Sequence, residues 1–148
     1  RCDNNHYRDE CTPGQIERFR QGFRDARVKA ILPTAGNGHS EFFDGVQGRD
    51  NLPTPVFFMT ATNDDVAGEE LFNQISTPNF TWVEITGGCH ELFNLGCDHS
   101  EDSLKFPIVT TYALAFGRHF ILNDTTPETL NILNGITQLS QDVTFKQK

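Results

Sequence analysis

The chain has 148 residues, 36% of them hydrophobic and 22% charged, with a formal net charge of −8 and an isoelectric point of about 5.0. That length holds one domain and not two, and apolar runs together with 13 Phe set it apart from a disordered polymer. The scattered acidic excess argues against nucleic acid, which needs a basic face, and against an anionic membrane surface. No apolar run nears the roughly 18 residues of a membrane span.

Residues 1–12 are polar and irregular. Thr12 as cap and Pro13 at the first helical position open a helix over 13–24, with Ile16, Phe19 and Phe23 on one face. Residues 28–32 form a short apolar strand stopped by Pro33, and a turn through Gly36 and Gly38 follows. Beyond a loop rich in Gly, Asp and Asn, residues 56–60 are a strand apolar on both faces, as at the centre of a parallel sheet. Residues 68–75 read as a short helix and 81–86 as an alternating strand. Residues 107–122 are the longest helix, with Val109, Tyr112, Ala113, Phe116 and Phe120 inward. Residues 127–148 read as a helical turn and a C-terminal tail. This order predicts one α/β domain over 1–148, a parallel sheet of about three strands with flanking helices. Three strands leave two open edges, one of them apolar, so the sheet reads as unfinished.

The four cysteines fall into two close pairs, Cys2 with Cys11 and Cys89 with Cys97. Neither pair has Cys-x-x-Cys spacing and no histidine completes a zinc pattern, so no metal site is expected. Two local disulfides in a secreted protein, or one of another oxidising compartment, are the favoured reading; free buried thiols and a cross-pairing stay open. Asn79-Phe-Thr81 and Asn123-Asp-Thr125 are glycosylation sequons, in keeping with export. The single Met is Met59 and the first residues do not resemble a signal sequence. The chain is therefore expected to begin inside a longer protein or after processing.

In an open parallel sheet, sites gather in the loops beyond the carboxyl ends of the strands. The first such loop holds His39 and Ser40, the second Asn63, Asp64 and Asp65, the third Gly87, Gly88, Cys89 and His90. An acid after one strand and a histidine after the next meet at one sheet edge. A carboxylate accepting from the imidazole fixes its tautomer and stabilises the imidazolium formed when the ring takes a proton. The plainer readings are an Asx turn at Asp64, a helix cap at Asp65, a histidine held in a tight Gly-Gly turn at His90 and a solvated loop histidine at His39.

The stretch Pro53-Thr-Pro-Val-Phe-Phe-Met-Thr-Ala-Thr-Asn-Asp-Asp-Val-Ala67 resembles the acid-bearing strand and loop of α/β-hydrolases, notably the dienelactone-hydrolase-like and platelet-activating-factor-acetylhydrolase-like groups. Ile85-Thr-Gly-Gly-Cys-His-Glu-Leu-Phe93 is similar to their last strand and histidine loop. Asp25-Ala-Arg-Val-Lys-Ala-Ile-Leu-Pro33 resembles the strand before the acid, and the 113–116 stretch the closing helix. The resemblance spans most of residues 25–122, the C-terminal part of that fold. It implies Asp64 as the catalytic acid, with Asp65 second, and His90 as the base. The family's Gly-x-Ser-x-Gly elbow, which should precede this region, is missing. Gly38-His-Ser-Glu-Phe42 is a near miss, but no long helix and further strand separate Ser40 from the acid strand, so Ser40 reads as a loop serine. The resemblance thus implies hydrolysis of a small-molecule carboxylic ester through a serine on a missing or separate N-terminal half. His39, Phe42 and Phe43 would contribute to the substrate pocket, with no metal or organic cofactor. The alternative is a non-catalytic binding or structural module on the same fold.

Overall fold

The structure, a computed structural model, describes residues 12–14, 25–36, 53–93 and 104–148. Pro13 and Gly14 are helical; the rest of the expected 13–24 helix lies outside the described residues.

The centre of the fold is β1 (Val56–Asn63), followed by helix α1 (Gly68–Gln74) and β2 (Phe80–Cys89). β1 and β2 are parallel, with Val56 opposite Phe80 and Met59 opposite Val83. Val56 to Ala61 are all buried, as expected of a strand covered on both faces. A 3₁₀ turn, His90–Phe93, leads towards α2 (Phe106–Leu122), then α3 (Pro127–Leu133) and β3 (Val143–Gln147).

The sheet is mixed and not parallel throughout: its order is β1-β2-β3, and β3 runs antiparallel to β2, from Ile85 opposite Val143 to Thr81 opposite Gln147. The route of the chain dictates this direction. After α3, the 134–142 connection returns the chain to the carboxyl end of β2, where Thr86 N–H donates to the Asp142 carbonyl at 2.8 Å. A strand starting there can only descend. Residues 127–148 are therefore a helix and an edge strand in place of the expected turn and tail, and β3 covers an edge of β2 expected to be open. The strand escapes notice in the sequence because only Val143 and Phe145 of its five residues are apolar.

The strand expected over 28–32 is displaced and fragmentary. Ile31 and Thr34 make isolated parallel bridges to Val56 and Met59. Ile31 N–H donates to the Pro55 carbonyl, Phe57 N–H to Ile31, Met59 N–H to Pro33, and Ala35 N–H to Met59. The one rung lacking from this parallel pattern is the one Pro33 would donate, and proline has no N–H.

Period-two alternation sends the two halves of β1 and β2 to different helices. Phe57, Met59, Val83 and Ile85 share a core with Ile108, Val109, Tyr112, Ala115 and Phe116 of α2 and with Leu92. Val56, Phe58, Phe80 and Trp82 pack on the α1 side with Phe72 and Ile75. Trp82 is 1% exposed, and its Nε1–H donates to Thr60 Oγ1 at 2.8 Å, which satisfies a donor that would be costly to bury unpaired. Gly68 starts α1 over this pair because a Cβ there would lie 2.6 Å from Trp82 Nε1 and 2.7 Å from Thr60 Oγ1. No helix among the described residues is long and apolar enough to cross a membrane.

Candidate active site

Because β1 and β2 are parallel, their carboxyl ends lie together, and their register decides which residues emerge side by side. Ala61 pairs with Ile85, but Asn63 pairs with Cys89, so two residues of β1 step against four of β2. This is a β-bulge. Without it Asn63 would face Gly87, and His90 would overrun Asp64 by two residues, roughly 7 Å of strand.

The sequence places two glycines where the bulge forms. Gly87 has φ +78, a left-handed conformation that glycine adopts without penalty. At Gly88 a Cβ would meet Leu92 Cδ2 at 2.5 Å and Ala61 Cβ at 3.1 Å. Two β1 side chains hold the bulge in place. Gly87 N–H donates to Thr62 Oγ1 at 2.7 Å, and Asn63 Nδ2 donates to the Gly87 carbonyl at 3.0 Å. Both backbone groups of Gly87 are thereby satisfied.

The outcome is a contact of 3.0 Å between His90 Nδ1 and Asp64 Oδ1. The Asp64 side chain is only 5% exposed, whereas His90 is 58% exposed, so a sheltered acid orients a ring open to solvent. Asp64 Oδ2 is buried with no hydrogen-bond partner among the described residues. The hydrogen bond that His90 donates to Asp64, then the charge of Asp64, raise the His90 imidazole above its ordinary value of 6.5; burial opposes this and Glu91 adds to it. When Nδ1 carries the proton given to Asp64, Nε2 is left with a lone pair and can accept a proton from a hydroxyl.

Three strand-end loops converge on an open cavity of about 440 Å³ lined by Ala35, Asn63, Asp64, Asp65, Val66, Cys89, His90 and Glu91. Ala35, with φ +49, enters from the segment bridged to β1. Of the two candidate acids, Asp64 makes the histidine contact, while Asp65 is an exposed wall residue. Asp65 does not cap α1 either: the N-cap is Ala67, with no side-chain capping bond. Cys89 is disulfide-bonded, so its sulfur is not a thiol nucleophile. His39, Ser40, Phe42, Phe43, Cys2, Cys11 and Cys97 all lie outside the described residues.

Thr62, Ala35 and Glu91 were not singled out by sequence reasoning. A Gly-Gly pair closing an alternating strand was the available signal for the bulge, but nothing in the sequence says which β1 side chains clamp it. The chain matches no protein-family model, no curated protein and no solved structure.

Proposed function

We propose that the chain supplies the acid and base of a serine-type carboxylic-ester hydrolase, the nucleophile belonging to an N-terminal part of the same protein. The observation that carries this reading is the Asp64–His90 contact beyond the carboxyl ends of adjacent parallel strands. In the proposed reaction a serine hydroxyl attacks the ester carbonyl and passes its proton to His90 Nε2. The imidazolium, stabilised by Asp64, then protonates the departing alkoxide. Water repeats the sequence on the acyl-enzyme, with His90 again as base, and releases the acid. His39, Phe42 and Phe43 contribute to the ester pocket in this reading. The exposure of His90 in this chain is in keeping with a site completed by further polypeptide, and the bonded state of Cys89 with residence in an oxidising compartment.

Labelling of the native protein, together with any polypeptide continuous or associated with it, by a fluorophosphonate probe tests the proposal. A single labelled serine whose modification is lost in His90→Ala supports it. Absence of labelling, or labelling indifferent to His90→Ala, favours the non-catalytic module.

A further inference from the structure

A second set of residues, unrelated to the Asp64–His90 pair, is organised at the opposite pole of the sheet. Val56 and Phe80 are register partners at the amino ends of β1 and β2, so Asn79 lies at that end. Ten residues of β2, a rise of roughly 30 Å, separate it from His90. Helix α2 runs between the same two poles. At its start a Cβ on Gly87 would meet Lys105 Nζ at 2.5 Å. At its end Phe116, His119 and Phe120 share a cavity of about 270 Å³ with Pro55 and Asn79. Its 17 residues span roughly 25 Å and deliver the C-cap residue, Asn123, to the Asn79 pole.

Both asparagines head Asn-x-Thr tripeptides, and both are exposed. Neither carboxamide makes a hydrogen bond among the described residues. Asn123 occupies a left-handed position, φ +56, that asparagine tolerates well. Its neighbour Asp124 fixes this turn. The carboxylate accepts from Thr126 N–H at 2.9 Å, from Thr129 Oγ1 at 2.9 Å and from Arg118 Nε at 2.7 Å. The turn is thus held by Asp124, with the Asn123 side chain left outside these bonds.

We infer that Asn79 and Asn123 are N-glycosylation sites, whose oligosaccharides cluster at the amino pole of the sheet and leave the edge bearing Asp64 and His90 uncovered. The modification replaces one carboxamide N–H of each asparagine with a bond to the sugar anomeric carbon, and the lipid-linked donor leaves as its diphosphate. Thr81 is buried, so transfer to Asn79 precedes the pairing of β2, whereas Thr125 is exposed and imposes no such order. The inference rests on passage through a secretory route and is independent of the esterase reading.

The test directs the full chain into the secretory pathway of cultured animal cells behind a cleavable leader, pooling cells and medium so that poorly folded chains are also counted. Treatment with peptide N-glycanase is expected to increase mobility in two steps, with Asn converted to Asp at both positions in peptide mapping. Asn79→Gln and Asn123→Gln should each remove one step, and the double variant both. Carbethoxylation of His90 by diethyl pyrocarbonate should proceed at the same rate before and after deglycosylation. An unshifted chain, or either asparagine unmodified in the map, overturns the two-site assignment; faster His90 modification after deglycosylation overturns the placement away from that edge.

Discussion

Asn63 lies opposite Cys89 although Ala61 lies opposite Ile85, and the extra residues of β2 between these pairs bring His90 level with Asp64. The site thus depends on a local irregularity of the sheet. Gly88→Ala sets a methyl against Leu92 and Ala61, and Gly87→Val forces a β-branched residue into a left-handed position, which costs upwards of about 1 kcal/mol. Either variant is expected to move His90 away from Asp64 while the sheet survives. NMR titration of the His90 ring should show its pKa falling towards 6.5; fluorescence of Trp82, the single Trp, should report an intact core.

Asp64→Asn should lower the His90 pKa directly, since the Asp64 hydrogen bond and charge are the largest causes of its elevation. The stability linkage follows from the sign of that shift. A histidine whose folded pKa is raised contributes stability that is fully present below its unfolded value and is lost as pH rises through the folded value. Urea midpoints of wild type and Asp64→Asn should therefore differ most below about 6.5 and converge as pH climbs past the raised His90 pKa. A difference that widens with rising pH contradicts the assignment.

The buried indole of Trp82 depends on Thr60. Thr60→Val keeps the shape but removes the acceptor, and an unsatisfied buried donor costs about 1–3 kcal/mol. Gly68→Ala pushes α1 off the same pair by contact alone. Both should lower the urea midpoint read by Trp82 fluorescence.

Besides its backbone pairing with β2, β3 packs on the core through Phe145, whose ring centroid lies 6.3 Å from that of Phe57 and 6.5 Å from that of Tyr112. Phe145 is only partly buried, so Phe145→Ala should cost about 2 kcal/mol, below the range for a fully enclosed Phe. Thermal or urea unfolding checks this, and a negligible change would mean that β3 adds little to the sheet.

The parts of this fold legible in the sequence are those where one chemical pattern dominates. The run from Val56 to Thr60 reads as a central strand because every residue is apolar or small, and α2 reads as a helix because Val109, Tyr112 and Phe116 recur at helical spacing. That Asp64 and His90 emerge at one sheet edge follows from their positions after neighbouring parallel strands, whereas their contact depends on the register shift between Ala61 and Asn63. Other features rest on long-range relations that composition does not encode. β3 offers two apolar residues in five and gains its strand character from pairing with β2. The segment beside β1 begins pairing at Ile31 and runs on to Ala35, past Pro33, where the apolar run of residues 28–32 has already stopped. Thr62 and Asn63 look like ordinary loop-edge polar residues until the bulge at Gly87 presents a donor and an acceptor to them.

The most direct test of the proposed chemistry is the pH dependence of p-nitrophenyl ester hydrolysis by the native protein, with any polypeptide continuous or associated with it. The rate is expected to rise with pH as His90 loses its proton, with a midpoint above 6.5. That midpoint should shift down in Asp64→Asn, and His90→Ala should lower the rate on the order of a thousandfold or more. A rate unchanged in His90→Ala, or no hydrolysis by the intact protein, would contradict the assignment of Asp64 and His90 as a catalytic pair.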